Sequence, residues 1–562
     1  MLLDTSSPRR CIFGLDHAEP TPMLTPPTLL RDRISQLIFP RIGSNMMPTI
    51  SVEDDAPRIE ALMEKYPIGG LCLFNGDRIR TPQTLTRLQS MSRFPLLVGT
   101  DMERGLGQQL KGATVFPHAM AFQATEEEAE ANLEASARAA AREALAAGLH
   151  ISFSPVADIN SNPANPIIAT RAFGTTPETV SSLVSAYIRG CKHEGLFSTA
   201  KHFPGHGDTD VDSHEVLPVV KRPRKEIEDL ELVPFKQAIQ EGVSLMMTAH
   251  VSYPTLDESG IEATRSAPIL RDLLRKDMGF RGAVISDSLL MEGAGQREEH
   301  PGTRAAALIE AGVDILLDVG DVPAVVDYLE EAVTSGKLDE SLIDAALDRV
   351  WGLKVRFAAR FGKGAFIDPS LAQPLSAIGH EENKKLADRL ASDAIQIAIG
   401  DDATLRLRPP GPGQKGPICF LIRPHTTYSD PTQAPLEVAF LNEFINGTYV
   451  EITPECEDDD LHPLIDLAAS HSDVIVAVIV KPAAWHRFGL LPFQRQFVRD
   501  LVDQGNVWLA AMGSPLVLAE FQDVKAGICV YSDVEPSMKA FVRFLSARKT
   551  DSEAGSNHSN LP

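Results

Sequence analysis

Positive charge is in short supply: 53 lysines and arginines face 76 aspartates and glutamates over 562 residues, a formal net charge of -23. Polyanions are held by clustered Lys and Arg, so the balance argues against nucleic acid as a partner. Cysteine is sparse as well. The six (Cys11, Cys72, Cys191, Cys419, Cys456, Cys529) stand far apart without a CxxC spacing, which removes metal knuckles and redox pairs and leaves reduced, mostly buried thiols. No stretch approaches the ~20 apolar residues of a membrane span, and the N-terminus MLLDTSSPRRCIFGLDHAEP lacks the apolar run of a signal peptide. The expectation is therefore a cytoplasmic enzyme with no membrane contact, and the sequons at Asn446 and Asn557 mean nothing without secretion. There is no Walker A loop, no GxGxxG after a strand and no catalytic cysteine constellation, so no cofactor is expected.

What is present fits an ordinary globular enzyme, with 43% hydrophobic and 23% charged residues. The length exceeds the roughly 250 to 300 residues at which one core stops growing, which predicts two domains. Residues 1–30, rich in Pro, Thr and Ser, and residues 548–562, polar with Gly and Ser, read as loosely ordered tails. Between them, short apolar runs alternate with helical patterns. Eight of these runs read as strands: LIFPRI (37–42), GLCLF (70–74), LLVGTD (96–101), ISFSPVADI (151–159), STAKHF (198–203), LMMTAH (245–250), AVISDS (283–288) and DILLDV (314–319). Eight βα units predict an α/β fold of the (β/α)8 TIM-barrel type over 31–361, although an open doubly wound sheet shows the same alternation. Thr125 and Glu128 form a capping box for the Ala-rich helix that follows, and Gly148 stops it. The polar stretch 362–384 reads as a linker, and renewed alternation over 385–547 predicts a smaller α/β sandwich, with LRPPGPGQKGP (407–417) as a loop.

Catalytic groups of such barrels sit at the C-terminal ends of strands. Asp101 ends the third, Asp158 and Arg171 follow the fourth, Lys201 and His202 end the fifth, His250 the sixth and Asp287 the seventh. A single polar strand end usually caps a helix or pairs with a neighbour; so many ends at one mouth are hard to place by coincidence. After Lys201 and His202 runs the loop FPGHGDTDVDSHEVLP, carrying His206, Asp208, Asp210, Asp212 and His214. These side chains could present a metal such as Zn or Mn, but the spacing matches no ligand pattern. Asp212 and His214, two residues apart, instead suit a dyad in which the carboxylate fixes the imidazole tautomer.

The string KHFPGHGDTDVDSHEVLP resembles the motif of bacterial-type β-N-acetylglucosaminidases in glycoside hydrolase family 3, and GGLCLFNGD, LLVGTDMERG, SPVADINSNPANPIIATRAFG, MTAHVSYPTLD and GAVISDSLLMEG resemble that family's blocks in the same order. The resemblance covers about residues 35–360, and NVWLAAMGSPLVLAEF is weakly similar to the family's C-terminal domain. It implies a retaining exo-β-N-acetylglucosaminidase acting on a small carbohydrate. Asp287 would be nucleophile, His214 acid/base with Asp212 behind it, and Asp101, Arg171, Lys201 and His202 would bind sugar. Where members commonly read DQEGGRVQR, this chain has DMERGLGQQ from Asp101 to Gln109, so a glycine and the arginines of that block are missing or moved.

A histidine with unperturbed pKa of about 6.5 suits general acid/base work without a large shift. A Schiff-base role for Lys201 lacks the apolar surroundings that such lysines need. Other readings are transfer to phosphate, a β-glucosidase of the same family, a metal-dependent hydrolase, and a sugar-binding homologue impaired by its altered loop. The aglycone, whether muropeptide, chitin oligomer or another conjugate, leaves no signature in the residues.

Overall fold

The computed structural model describes residues 24–209, 217–291, 299–403, 405–424, 436–482 and 488–548. Asp212 and His214 lie outside these residues, as do Asp210, Cys11 and both chain ends.

Eight parallel strands close into a ring. They are β1 (Ile38–Phe39, resuming after Pro40 as Arg41–Ile42), β2 (Gly70–Leu73), β3 (Leu97–Thr100), β4 (Ile151–Ser152), β5 (Phe197–Phe203), β6 (Leu245–Thr248), β7 (Ala283–Ile285) and β8 (Leu316–Leu317). Each of β1 to β7 pairs with the next, Ile285 bridges to Ile315 at the head of β8, and β8 pairs back on β1. That closure decides for the barrel over the open sheet. Strands covered by helices outside and packed side chains inside are buried on both faces, which is why they are runs of apolar residues and do not alternate. The ladders are shorter than the apolar runs. In ISFSPVADI the regular ladder is Ile151–Ser152, and beyond Pro155, which has no N–H to give, a single bridge from Val156 to Lys201 resumes the pairing.

Helices wrap the ring. In Pro177–Glu194, Thr176 caps the N-terminus, accepting from the Thr179 N–H, proline occupies the first turn, and Gly195 ends the helix in the left-handed region. The Ala-rich helix is Ala129–Ala146, and the expected capping box is not formed: Thr125 has φ -85° and ψ 10°, not the extended backbone of an N-cap, and its hydroxyl donates to the Phe122 carbonyl. A 3-10 turn, Glu126–Glu128, replaces the cap. After the helix Glu340–Phe361 the stretch 362–384 is packed: Phe366 and Ile378 are buried, and from Glu381 the chain is helical.

The second domain is a six-stranded sheet of β9 (Gln396–Ile399), β10 (Ile418–Ile422), β11 (Thr448–Ile452), β12 (Val474–Val478), β13 (Val507–Ala511) and β14 (Ala526–Cys529), in spatial order β9-β14-β13-β12-β10-β11. All pairs are parallel except β9 with β14. Two apolar clusters cover its two faces, and Met120, Ala121 and Ala124 from the barrel segment belong to one of them. This segment docks the sheet onto the barrel. Among the described residues no helix is long and apolar enough to cross a membrane.

Candidate active site

The C-terminal ends of the barrel strands converge on a network of charges. At the end of β5, Lys201 donates to Asp101 (2.7 Å), just past β3, and lies 2.7 Å from Glu103. Glu103 also takes both Nε and Nη2 of Arg171, at 2.9 and 2.8 Å, a bidentate clamp. Burial works against each of these charges, yet the opposite charges win. Arg171 and Lys201 hold the Glu103 carboxyl well below its usual range, and Asp101 and Glu103 raise the Lys201 ammonium above its ordinary value. Lys201 is thus a fixed cation, the reverse of a Schiff-base lysine.

His202 is oriented by Asp158, which lies 2.6 Å from its Nδ1 and accepts from its backbone N–H. The same wholly buried carboxylate accepts from the His206 N–H at 2.7 Å. Asp158 therefore ties the end of β5 to the start of the following loop. Burial lowers the His206 imidazole to about 4, so it is neutral, with Nδ1 2.9 Å from the Thr209 hydroxyl. Asp208 is taken by Arg222, at 2.5 and 2.7 Å. Gly205 and Gly207 answer to close approach: a Cβ on Gly207 would stand 1.6 Å from the Ile159 carbonyl oxygen, and one on Gly205, at φ +132°, 2.8 Å from the Glu231 side chain.

Asp287 follows β7 and is half-buried. Burial alone would raise its pKa, but His202 and His250, the Ser288 N–H at 2.7 Å and Lys201 outweigh it and leave the carboxyl below its ordinary value. It is an ionised carboxylate that keeps part of its surface exposed. Its neighbour His250 rests Nδ1 on the Thr264 hydroxyl (3.0 Å) and Nε2 near the Ser288 carbonyl (3.3 Å). Ser288 donates to Asp318 (2.6 Å), which forms a bidentate pair with Arg41. The structure thus brings Asp101, Arg171, Lys201, His202 and Asp287 to one mouth. Asp212 and His214 fall in the segment after Thr209, outside the described residues.

Three participants escaped the sequence reading. Glu103 was hidden inside the altered DMERG block, two residues from Asp101. Asp318 directly follows the eighth strand, so the rule of polar strand ends, applied once more, would have found it. Arg41 interrupts an apolar run, and nothing in the sequence says that it pairs across the closure of the ring.

The pattern called "Glycosyl hydrolase family 3 N terminal domain" matches residues 29–353, more than half of the chain. Beta-hexosaminidase A of Pseudoalteromonas piscicida is 31% identical over 383 residues, 63% of this chain and 62% of that protein. The chain thus spans about three fifths of that relative's length. A beta-hexosaminidase of Neisseria meningitidis serogroup C is 37% identical over 277 residues, 47% of this chain and 74% of its own. The structure of a glycoside hydrolase family 3 beta-N-acetylglucosaminidase from Paenibacillus sp. str. FPU-7 superposes with a TM-score of 0.79 at 27% identity, covering 93% of this chain and 97% of that one. With the closed barrel, the second α/β domain and this match over its first 350 or so residues, the chain belongs to glycoside hydrolase family 3.

Proposed function

We propose that the chain is a retaining, exo-acting β-N-acetylglucosaminidase that removes terminal β-linked N-acetylglucosamine from a carbohydrate substrate. The observation that carries this reading is Asp287: a half-buried carboxylate held ionised among His202, His250 and Lys201, on the same mouth as Asp101 and Arg171. An ionised carboxylate with part of its surface exposed is what nucleophilic attack at an anomeric carbon needs. The names of the Pseudoalteromonas, Neisseria and Paenibacillus proteins support the choice of sugar.

In the first step an Asp287 oxygen bonds to the anomeric carbon as the glycosidic C–O bond breaks, and His214 gives its proton to the departing oxygen. Water then attacks the glycosyl-enzyme, His214 takes its proton, and the sugar leaves with its configuration retained. Asp212 would hold the His214 tautomer and stabilise the imidazolium, the duty of the carboxylate in a Ser-His-Asp triad. Asp101 accepts from sugar hydroxyls; Lys201, Arg171 and His202, fixed by Glu103 and Asp158, present donors that need no reorganisation.

The test is a panel of aryl glycosides (β-GlcNAc, β-Glc, β-Xyl), assayed with and without phosphate, with the first product anomer read by NMR. The β anomer of N-acetylglucosamine should appear first. Asp287→Ala should lose several powers of ten in turnover while remaining folded. An α-first product, equal kcat/KM on β-GlcNAc and β-Glc, or a fully active Asp287→Ala would refute the assignment.

A further inference from the structure

Asp318 stands directly after β8 at φ +62°, in the left-handed region that favours glycine, and is 1% exposed. Glycine would take that backbone freely; what aspartate adds is a carboxylate at the closure of the ring. Its N–H donates to the Phe39 carbonyl of β1 at 2.7 Å. Both carboxylate oxygens are used: Oδ1 accepts from Arg41 Nε (3.0 Å), and Oδ2 accepts from Arg41 Nη2 and from the Ser288 hydroxyl (2.6 Å). Arg41, on β1, lies over the Phe74 ring, 4.8 Å from its centroid, with Nη1 3.3 Å from the Met46 sulfur. Ser288 belongs to the segment after β7, and its N–H is the donor to Oδ1 of Asp287 at 2.7 Å. Three side chains therefore cross the closure of the ring, from β1 through β8 to the backbone donor of Asp287.

These side chains also carry charge. Asp287 faces His202 and Lys201 from β5 and His250 from β6. Burial, then Asp318 and Asp101, push the Cys72 thiol of β2 well above its ordinary value, with Arg41 pulling the other way and Asp287 adding to the rise. The charges of Asp318, Arg41, Asp101 and Asp287 thus lie around one thiol in the interior of the barrel. An unpaired Asp318 at this place would repel an ionised Asp287, and an unpaired Arg41 would attract it. Paired, the two cancel.

We propose that Arg41 and Asp318 are positioning residues for the Asp287 carboxylate: Asp318 fixes Ser288, whose N–H orients Asp287, and Arg41 holds Asp318 and neutralises its charge beside the nucleophile. The proposal rests on the reading of Asp287 as nucleophile. Misplacing a reacting group by about 1 Å can cost 10²-fold in rate, so a tie across β1, β8 and β7 makes the closure of the ring part of the catalytic geometry.

The test is the pH profile of kcat/KM in the full-length enzyme, on whichever aryl glycoside it turns over fastest, for Arg41→Met, Asp318→Asn and the two combined. The acid limb reports the ionisation of Asp287 in the free enzyme. Arg41→Met leaves the Asp318 charge unopposed, raises the Asp287 pKa and should move the limb up by about 1 pH unit; Asp318→Asn leaves Arg41 unopposed and should move it down by about as much. The combined variant should bring the limb back close to its wild-type position. A merely structural role lowers the yield of active enzyme and does not move the limb in opposite directions. Arg41→Lys keeps the charge but not the fork, and Ser288→Ala cuts the tie to Asp318; in both, kcat should fall about tenfold at nearly constant KM, because a misaimed nucleophile is felt in the chemical step. Limbs that stay in place or move the same way in the two charge variants would overturn the proposal. If a charge variant does not fold, Arg41→Lys and Ser288→Ala, which strand no charge, carry the test, and wild-type kcat in both would overturn it. A carboxyl 13C NMR titration of Asp287, identified by the signal lost in Asp287→Asn, follows the same shifts without substrate. Opposite shifts there in a protein that cleaves no glycoside would overturn the functional reading and leave the positioning standing; their absence in an active enzyme would overturn the positioning alone.

Discussion

Replacing Glu231 by glutamine isolates one charge beneath the loop that follows β5. Glu231 is 1% exposed, accepts from the Ser161 hydroxyl at 3.0 Å, and packs against Gly205. Burial pushes its carboxyl from 4.5 up to about 7; Asp158 and Asp208 add to this, and Ser161 and Arg222 offset part of it. The folded pKa is thus raised above the unfolded value. Between the two, the native state keeps a proton that the unfolded chain has released, so the contribution to stability is full below about pH 4.5 and lost as pH rises through about 7. At about 1.4 kcal/mol per pH unit, ionising Glu231 in place costs about 3 kcal/mol on the alkaline side. Glutamine keeps the hydrogen bond and has no proton to lose. Urea unfolding near about pH 5 and about pH 8.5 should therefore show wild type and Glu231→Gln close together at the lower value and the variant ahead by up to about 3 kcal/mol at the higher. Parallel pH dependence of the two proteins would refute the reasoning, because it would mean that Glu231 ionises as freely inside the protein as outside.

Glu103→Gln removes the charge that Lys201 and Arg171 share, and kcat/KM on an aryl β-N-acetylglucosaminide should fall about 100-fold with the fold retained; activity within twofold of wild type would show that the cations are held by other means. Gly207→Ala would set a methyl 1.6 Å from the Ile159 carbonyl oxygen, so the loop must shift. Its melting temperature should drop by several degrees together with activity, and an unchanged melting curve would contradict the close approach. His214→Ala should cripple substrates with poor leaving groups far more than activated nitrophenyl glycosides, which barely need a proton. A uniform loss would assign His214 to binding and send the search for the acid to Asp208, Asp210 and Glu215.

Much of this was legible in the chain itself. Apolar runs between helical patterns announced eight βα units, because strands buried on both faces must be apolar throughout, and the polar residues that end those runs could only gather at one rim of a barrel. Asp101, Arg171, Lys201, His202 and Asp287 stand out in the sequence on that ground. Caps were less legible. Thr125 has the residue type and spacing of an N-cap, but an incoming helical turn gives it the wrong backbone, and spacing carries no record of φ and ψ.

Tertiary structure decided what depends on pairs far apart in sequence. Whether the sheet closes turns on β8 finding β1 across some 280 residues, and Arg41 meeting Asp318 follows from that closure. Glu103 became visible only once β3, the loop after β4 and β5 set Lys201 and Arg171 around it. The docking of Met120, Ala121 and Ala124 into the second domain's apolar core needs two separately folded domains brought together. Side-chain type and periodicity act over a turn of helix or a strand, so the sequence by itself determined the units and their polar ends. Which charges face one another depends on long-range packing, and only the folded molecule determines that.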